Sequence, residues 1–142
     1  MFNSVFFSSN SNEWSTPDDF FKALDSEFHF NLDPCASLLN HKCDNYFTID
    51  DDGLSKSWSG FRVFCNPPYG HQIKYWVQKC YIESVLNSNT LIVLLIPART
   101  DTSYFHDYIL GKCDIRFIRG RLKFGGSSHC APFGSILCIY NG

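Results

Sequence analysis

Apolar positions along this chain fall into short runs separated by polar, turn-forming residues, and the period inside each run changes. Phe20, Phe21, Leu24 and Phe28 recur at helical spacing. They follow Thr16-Pro17-Asp18-Asp19, which offers Thr16 as N-cap, a proline at the first helical position and acids in the first turn. Residues 28–33 alternate and predict a strand ending at Asp33-Pro34. Residues 37–45 predict a short helix or loop, and Tyr46 to Ile49 a second short strand. A third strand, Arg62 to Cys65, runs into Asn66-Pro67-Pro68-Tyr69-Gly70. His71 to Leu86 reads as a helix with Ile73, Trp76, Val77 and Cys80 on one face. Thr90 to Ile96 is a continuous apolar run, as in a strand buried on both faces. Thr102 to Leu110 predicts a helix stopped by Gly111. Ile115 to Ile118 and Ser135 to Tyr140 are the last strands. Strands alternating with helices predict an α/β fold with a mostly parallel, doubly wound sheet. One compact domain over 13–142 is expected, with residues 1–12, rich in Ser and Asn from Ser8, as a flexible N-terminal arm.

Composition narrows the class. At 142 residues, 44% apolar and 17% aromatic, the chain can bury a single core. Its longest apolar run, Leu91 to Ile96, is far below the roughly 18 residues of a membrane helix. The N-terminus has no basic segment or cleavage-like site, so no signal peptide is expected. Seven cysteines without a C-x-x-C pair point to buried free thiols in a reducing cytosol rather than zinc. The five histidines lack ligand spacing, and Asp50-Asp51-Asp52-Gly53 lacks the alternation of a calcium loop, so no metal is expected. The net charge of −2 hides an asymmetry: residues 1–70 hold four basic and ten acidic side chains, residues 71–142 eight and four. Arg116, Arg119, Arg121 and Lys123 crowd one segment. Such a stripe fits a phosphate backbone; a solvated edge strand protected by charge is the alternative reading.

Asn66-Pro67-Pro68-Tyr69, between a strand and a helix, resembles the active-site loop of amino-group methyltransferases, above all the adenine-N6 type. The exocyclic nitrogen of adenine is a poor nucleophile because its lone pair is delocalised into the ring. Two acceptors aimed at its hydrogens localise that lone pair: the Asn66 side-chain oxygen and the Pro67 carbonyl. Pro67-Pro68 makes a stiff platform and holds Asn66 extended. Tyr69 offers a face to an extruded base. A plain strand-ending turn would use the same dipeptides.

Further blocks extend the resemblance over about residues 13–140: Glu13 to Pro17, Leu32 to Ala36, Asp51 to Leu54, Trp58, Phe64 to Gly70, Leu94 to Thr100, Arg119 to Phe124 and Ala131 to Ser135. With them the chain resembles the phage-type DNA N6-adenine methyltransferases, a small Dam-like family. The resemblance implies a Rossmann-like enzyme using S-adenosyl-L-methionine, acting on a flipped adenine of double-stranded DNA in the cytoplasm of a bacterial host. It implies that Asn66, Pro67, Pro68 and Tyr69 are catalytic. Trp14, Ser15 and Thr16 would sit beside the cofactor's methionine end. Asp33, Pro34, Cys35 and Ala36 would replace the usual first cofactor motif, which here lacks its glycines. Asp50 or Asp51 would bind the ribose hydroxyls or adenine amine. Arg99, Arg119, Arg121, Lys123 and Phe124 would meet DNA. Asp33 could instead cap a turn, Arg99 form an ion pair and Phe124 pack in the core. No insert is long enough for a separate target-recognition domain. A protein glutamine or an RNA base as acceptor, and a non-catalytic cofactor- or DNA-binding module, are the alternative readings.

Overall fold

The computed structural model describes residues 14–126 and 129–142; the expected arm over 1–12, and Glu13, lie outside them. The described residues form seven regular elements: α1 (Asp18–Phe28), β1 (Arg62–Cys65), α2 (Ile73–Leu86), β2 (Leu91–Pro97), α3 (Ser103–Tyr108), β3 (Asp114–Phe117) and β4 (Ser135–Asn141). Single 3₁₀ turns occupy Gly53–Ser55 and Phe124–Gly126.

The continuous apolar run becomes the central strand because both sheet faces are covered. All seven residues of β2 are buried. Ile92, Leu94 and Ile96 meet Trp76, Val77 and Cys80 of α2 and Phe105 of α3. Leu91, Val93 and Leu95 meet Phe21, Leu24 and Phe28 of α1 on the opposite face. Each such side chain contributes roughly 1.5–3 kcal/mol on full burial. The predicted apolar stripe of α1 is therefore the face that packs, and so is that of α2.

The sheet order is β1-β2-β4-β3. β1 pairs with β2 in parallel, from Arg62↔Leu91 to Cys65↔Leu94. β4 pairs antiparallel with both β2 and β3. The expectation of a mostly parallel, doubly wound sheet thus needs correction: the sheet is mixed, with two of its three pairings antiparallel. The cause is β4. Three strands run one way, and the last strand of the sequence enters between β2 and β3 in reverse. A strand buried on both faces shows the same apolar pattern in either direction.

The expected strands at 28–33 and 46–49 shrink to single bridges, Leu32↔Val63 and Asp33↔Tyr46, both parallel. They extend the parallel side of the sheet outward from β1, and their carboxyl ends open on the same side as that of β1. Residues 37–45 form bends, not a helix. Among the described residues no helix is long and apolar enough to cross a membrane.

Candidate functional site

Three chain segments end side by side at the carboxyl ends of β1 and the two bridged pieces, the place where open α/β sheets take ligands. They enclose a cleft of about 570 Å³. One wall is Trp14, Ser15 and Thr16; a second is Asp33 to Ser37; a third is Asn66, Pro67 and Pro68. Thr48, Ile49 and Asp52 to Leu54 form the far rim, and Gln72, Tyr75 and Trp76 of α2 close it.

Asn66 is held from three sides. Its amide nitrogen donates to the Trp14 carbonyl and, at 2.9 Å, to Thr16 Oγ1. The Tyr69 hydroxyl lies 2.9 Å from Asn66 Oδ1 and 3.2 Å from the Leu95 carbonyl, as a donor to either. A backbone carbonyl accepts and never donates, so Trp14 fixes which end of the amide is nitrogen. Oδ1 keeps a free lone pair, and among the described residues no hydrogen bond engages the Pro67 carbonyl.

Thr16 is therefore not the helix cap it was expected to be. Pro17 stands at the N-cap position, and no side chain caps α1. The Thr16 side chain, 4% exposed, is turned inward to Asn66.

Tyr69 is buried rather than presented to the cleft. Burial pushes its phenol well above its usual range. Its ring lies near-parallel to Trp14, with centroids 6.4 Å apart, and edge-on to Phe124 and Phe133. Phe124, expected at the DNA surface, is 4% exposed inside this aromatic group.

Asp33 lies 6% exposed in the second wall. Burial raises its carboxyl above the ordinary range, opposed by N–H groups that donate to it from Lys42 (2.9 Å) and Cys35 (3.2 Å). The carboxylate thus ties the turn at 34–42 together and still faces the cleft. Beside it, Cys35 Sγ sits 3.6 Å from Cys65 Sγ. All seven cysteines are free thiols, and burial raises the Cys35 and Cys65 thiols.

The acidic run divides. Asp52, not Asp50 or Asp51, lines the cleft. Asp51 accepts from the Thr48 N–H at 2.8 Å and from its hydroxyl, and those bonds hold its carboxyl below the usual range. It closes its own turn. At Gly53 a Cβ would stand 2.5 Å from the Pro34 carbonyl oxygen, so glycine alone lets the rim meet the second wall. Trp58 secures this rim: Nε1 donates to the Gly53 carbonyl at 3.0 Å, and its N–H to buried Glu83 at 2.6 Å.

Arg99, Arg119, Arg121 and Lys123 lie exposed, apart from the cleft lining. Arg116 instead makes a bidentate pair with Glu27. Among the described residues no group of His, Cys, Asp or Glu could hold a metal ion.

Gln72 and Tyr75 were not expected at the site, and Trp76 was expected only on the packed face of its helix. Their signal was position: they form the first turn of the helix that follows the Asn66 loop, so a face of that turn borders whatever the loop borders. Trp76 belongs to both core and cleft.

Comparison with known proteins gives a family match. The model of the family described as DNA N-6-adenine-methyltransferase (Dam) matches residues 3–136. The chain is similar to the DNA N-6-adenine-methyltransferase of Haemophilus phage HP1 (strain HP1c1), 33% identical over 84 residues, covering 58% of this chain and 48% of that protein. It is also similar to the DNA N-6-adenine-methyltransferase of Escherichia phage T1, 29% identical over 111 residues, covering 77% of this chain and 45% of that protein. The chain spans about half the length of these curated relatives.

Proposed function

The chain belongs to the DNA N-6-adenine-methyltransferase (Dam) family, and from that premise we propose that it transfers a methyl group from S-adenosylmethionine to the N6 amine of an adenine in duplex DNA. The observation that carries the reading is the Asn66 amide, fixed at the wall of the cleft by Trp14, Thr16 and Tyr69. Asn66 Oδ1 and the Pro67 carbonyl are two acceptors on one stiff loop. Together they draw on both hydrogens of the amine, so that the nitrogen lone pair is no longer spread into the ring. This is positioning with fixed dipoles and needs no side-chain base.

The cleft fits the cofactor. Its volume lies within the roughly 300–1,000 Å³ usual for small-molecule sites, and its lining mixes apolar Pro34, Leu54 and Trp76 with carboxylate, amide and hydroxyl groups. When bound, S-adenosylmethionine supplies an electrophilic methyl group. Trp14, Ser15 and the segment Asp33 to Ala36 would hold its methionine end. Asp52 would hold its ribose hydroxyls in place of Asp50 or Asp51. Binding at the carboxyl ends of parallel segments is the Rossmann-like part of the proposal. Thr16, which lines the cleft, acts through Asn66. The target base leaves the duplex and stacks against Trp14, whose ring Tyr69 backs from the buried side. Exposed Arg99, Arg119, Arg121 and Lys123 contact phosphates. The setting is a bacterial cytoplasm carrying phage DNA, as the phage origin of both relatives supports.

The test is incubation with labelled cofactor and, in parallel, unmethylated duplex DNA, RNA and protein. The expected product is N6-methyladenine in the hydrolysed DNA. Label in RNA or protein and none in DNA overturns the reading. Asn66→Ala should lower transfer by about 100-fold or more while cofactor binding persists.

A further inference from the structure

Phe117 is the last residue of β3 and is 74% exposed, although it stands in the row of the buried residues Ile136 and Ile96. The segment after it is pinned at alternate points. The Ile118 N–H donates to the Ser135 carbonyl, the Leu122 carbonyl accepts from the Ala131 N–H, and Phe124 is packed against Trp14. What remains outward is Phe117, Arg119, Arg121 and Lys123. The contrast with Arg116, neutralised by Glu27, is direct: among the described residues no ion pair engages the three later cations. An apolar ring that no core covers, followed by cations that no acid neutralises, is matched by a partner offering flat apolar faces between phosphates.

We propose that Phe117 with Arg119, Arg121 and Lys123 forms the face that grips duplex DNA, the ring of Phe117 packing against a base step while the cations hold the flanking phosphates. The inference rests on the DNA reading given above and adds its contact surface. Geometry supports the scale. β3 and β1 are three strand spacings apart, about 14 Å, and by register Phe117 lies within one row of Asn66 at the same end of the sheet. At a base rise of 3.4 Å, that separation corresponds to about four base pairs, so one duplex can span both ends of this edge. Wedging an apolar ring at a step loosens stacking nearby, which eases extrusion of the base.

The test measures binding of unmethylated duplex DNA across a salt series, with cofactor affinity and molecular size as controls. Phe117→Ala should weaken duplex binding on the order of 10-fold, in the range of a lost base–aromatic stack, with an unchanged salt slope and unchanged cofactor affinity. Arg121→Ala should flatten the salt slope by about one phosphate contact. Phe117→Trp should keep wild-type affinity, and its added indole emission should fall when DNA is bound. Wild-type affinity in Phe117→Ala, or indole emission indifferent to DNA, overturns the inference alone. A shift of Phe117→Ala from dimer to monomer also overturns it, because the ring would then cover a second copy. A wild-type protein that binds no duplex overturns the DNA reading and this inference together.

Discussion

Replacing Thr16 by Val tests the proposed division of labour at the catalytic loop. Valine keeps the shape of threonine and removes only the hydroxyl that lies 2.9 Å from the Asn66 amide nitrogen. The lost partner leaves one amide N–H of a half-buried Asn66 unsatisfied while the Trp14 carbonyl retains the other. An unsatisfied buried donor costs about 1–3 kcal/mol; with Asn66 half-buried the lower end applies, about 1 kcal/mol. That is a melting temperature lower by roughly 3–5 °C for a chain of this size. If a similar 1–2 kcal/mol of Asn66 orientation is lost in the transition state, kcat falls about 5- to 30-fold. Steady-state methylation of duplex DNA separates the roles. A positioning Thr16 lowers kcat with the cofactor KM nearly unchanged, and Thr16→Ser restores the rate. A cofactor KM raised tenfold with kcat intact would refute the reasoning and return Thr16 to the cofactor's methionine end.

Two further substitutions probe the cleft walls. Gly53→Ala brings a Cβ against the Pro34 carbonyl; overpacking of this kind costs about 1–3 kcal/mol, so melting and cofactor affinity should both drop, and an unchanged affinity by calorimetry would mean that this rim does not shape the site. Asp33 has its carboxyl raised in the folded state by burial, so the native protein binds more protons than the unfolded chain between the two values. Its contribution to stability therefore falls as pH rises through that window, beginning near the ordinary Asp value. The melting-temperature difference between wild type and Asp33→Asn should accordingly shift against wild type as pH rises past the ordinary Asp value. A flat difference would show that burial is not what perturbs the group.

Much of the scaffold is legible in the sequence because burial leaves a periodic mark. The stripe at Phe21, Leu24 and Phe28 and the continuous run from Leu91 predict the packed faces that form. Strand direction leaves no such mark: β4 is buried on both faces like β2, and its reversal is invisible in the pattern. Short pieces such as residues 28–33 alternate convincingly, yet only Leu32 and Asp33 find neighbours to bridge. At the site, residue type showed the chemistry but not its assignment. Thr16 suits a cap as well as a partner for Asn66, and only the fold turns its hydroxyl inward. Asp51 and Asp52 are neighbours of one type; one closes a turn and the other faces the cleft. Phe117 and Phe124 flank the same cations, and burial separates them at 74% and 4% exposed.

The reversed position of β4 also sets an order of assembly. β1 and β2 can pair as soon as residue 97 is available, which brings together the sheet edge that carries Asn66. Among the described residues β3 has no sheet neighbour but β4, and β4 reaches β2 across a span of about forty residues. Closing that span costs chain entropy before any ladder bond repays it. The edge bearing Phe117 and its cations therefore joins the sheet only once Ser135 and the residues after it are available, and a chain arrested before Ser135 holds the beginnings of the cleft without the edge proposed to hold a duplex.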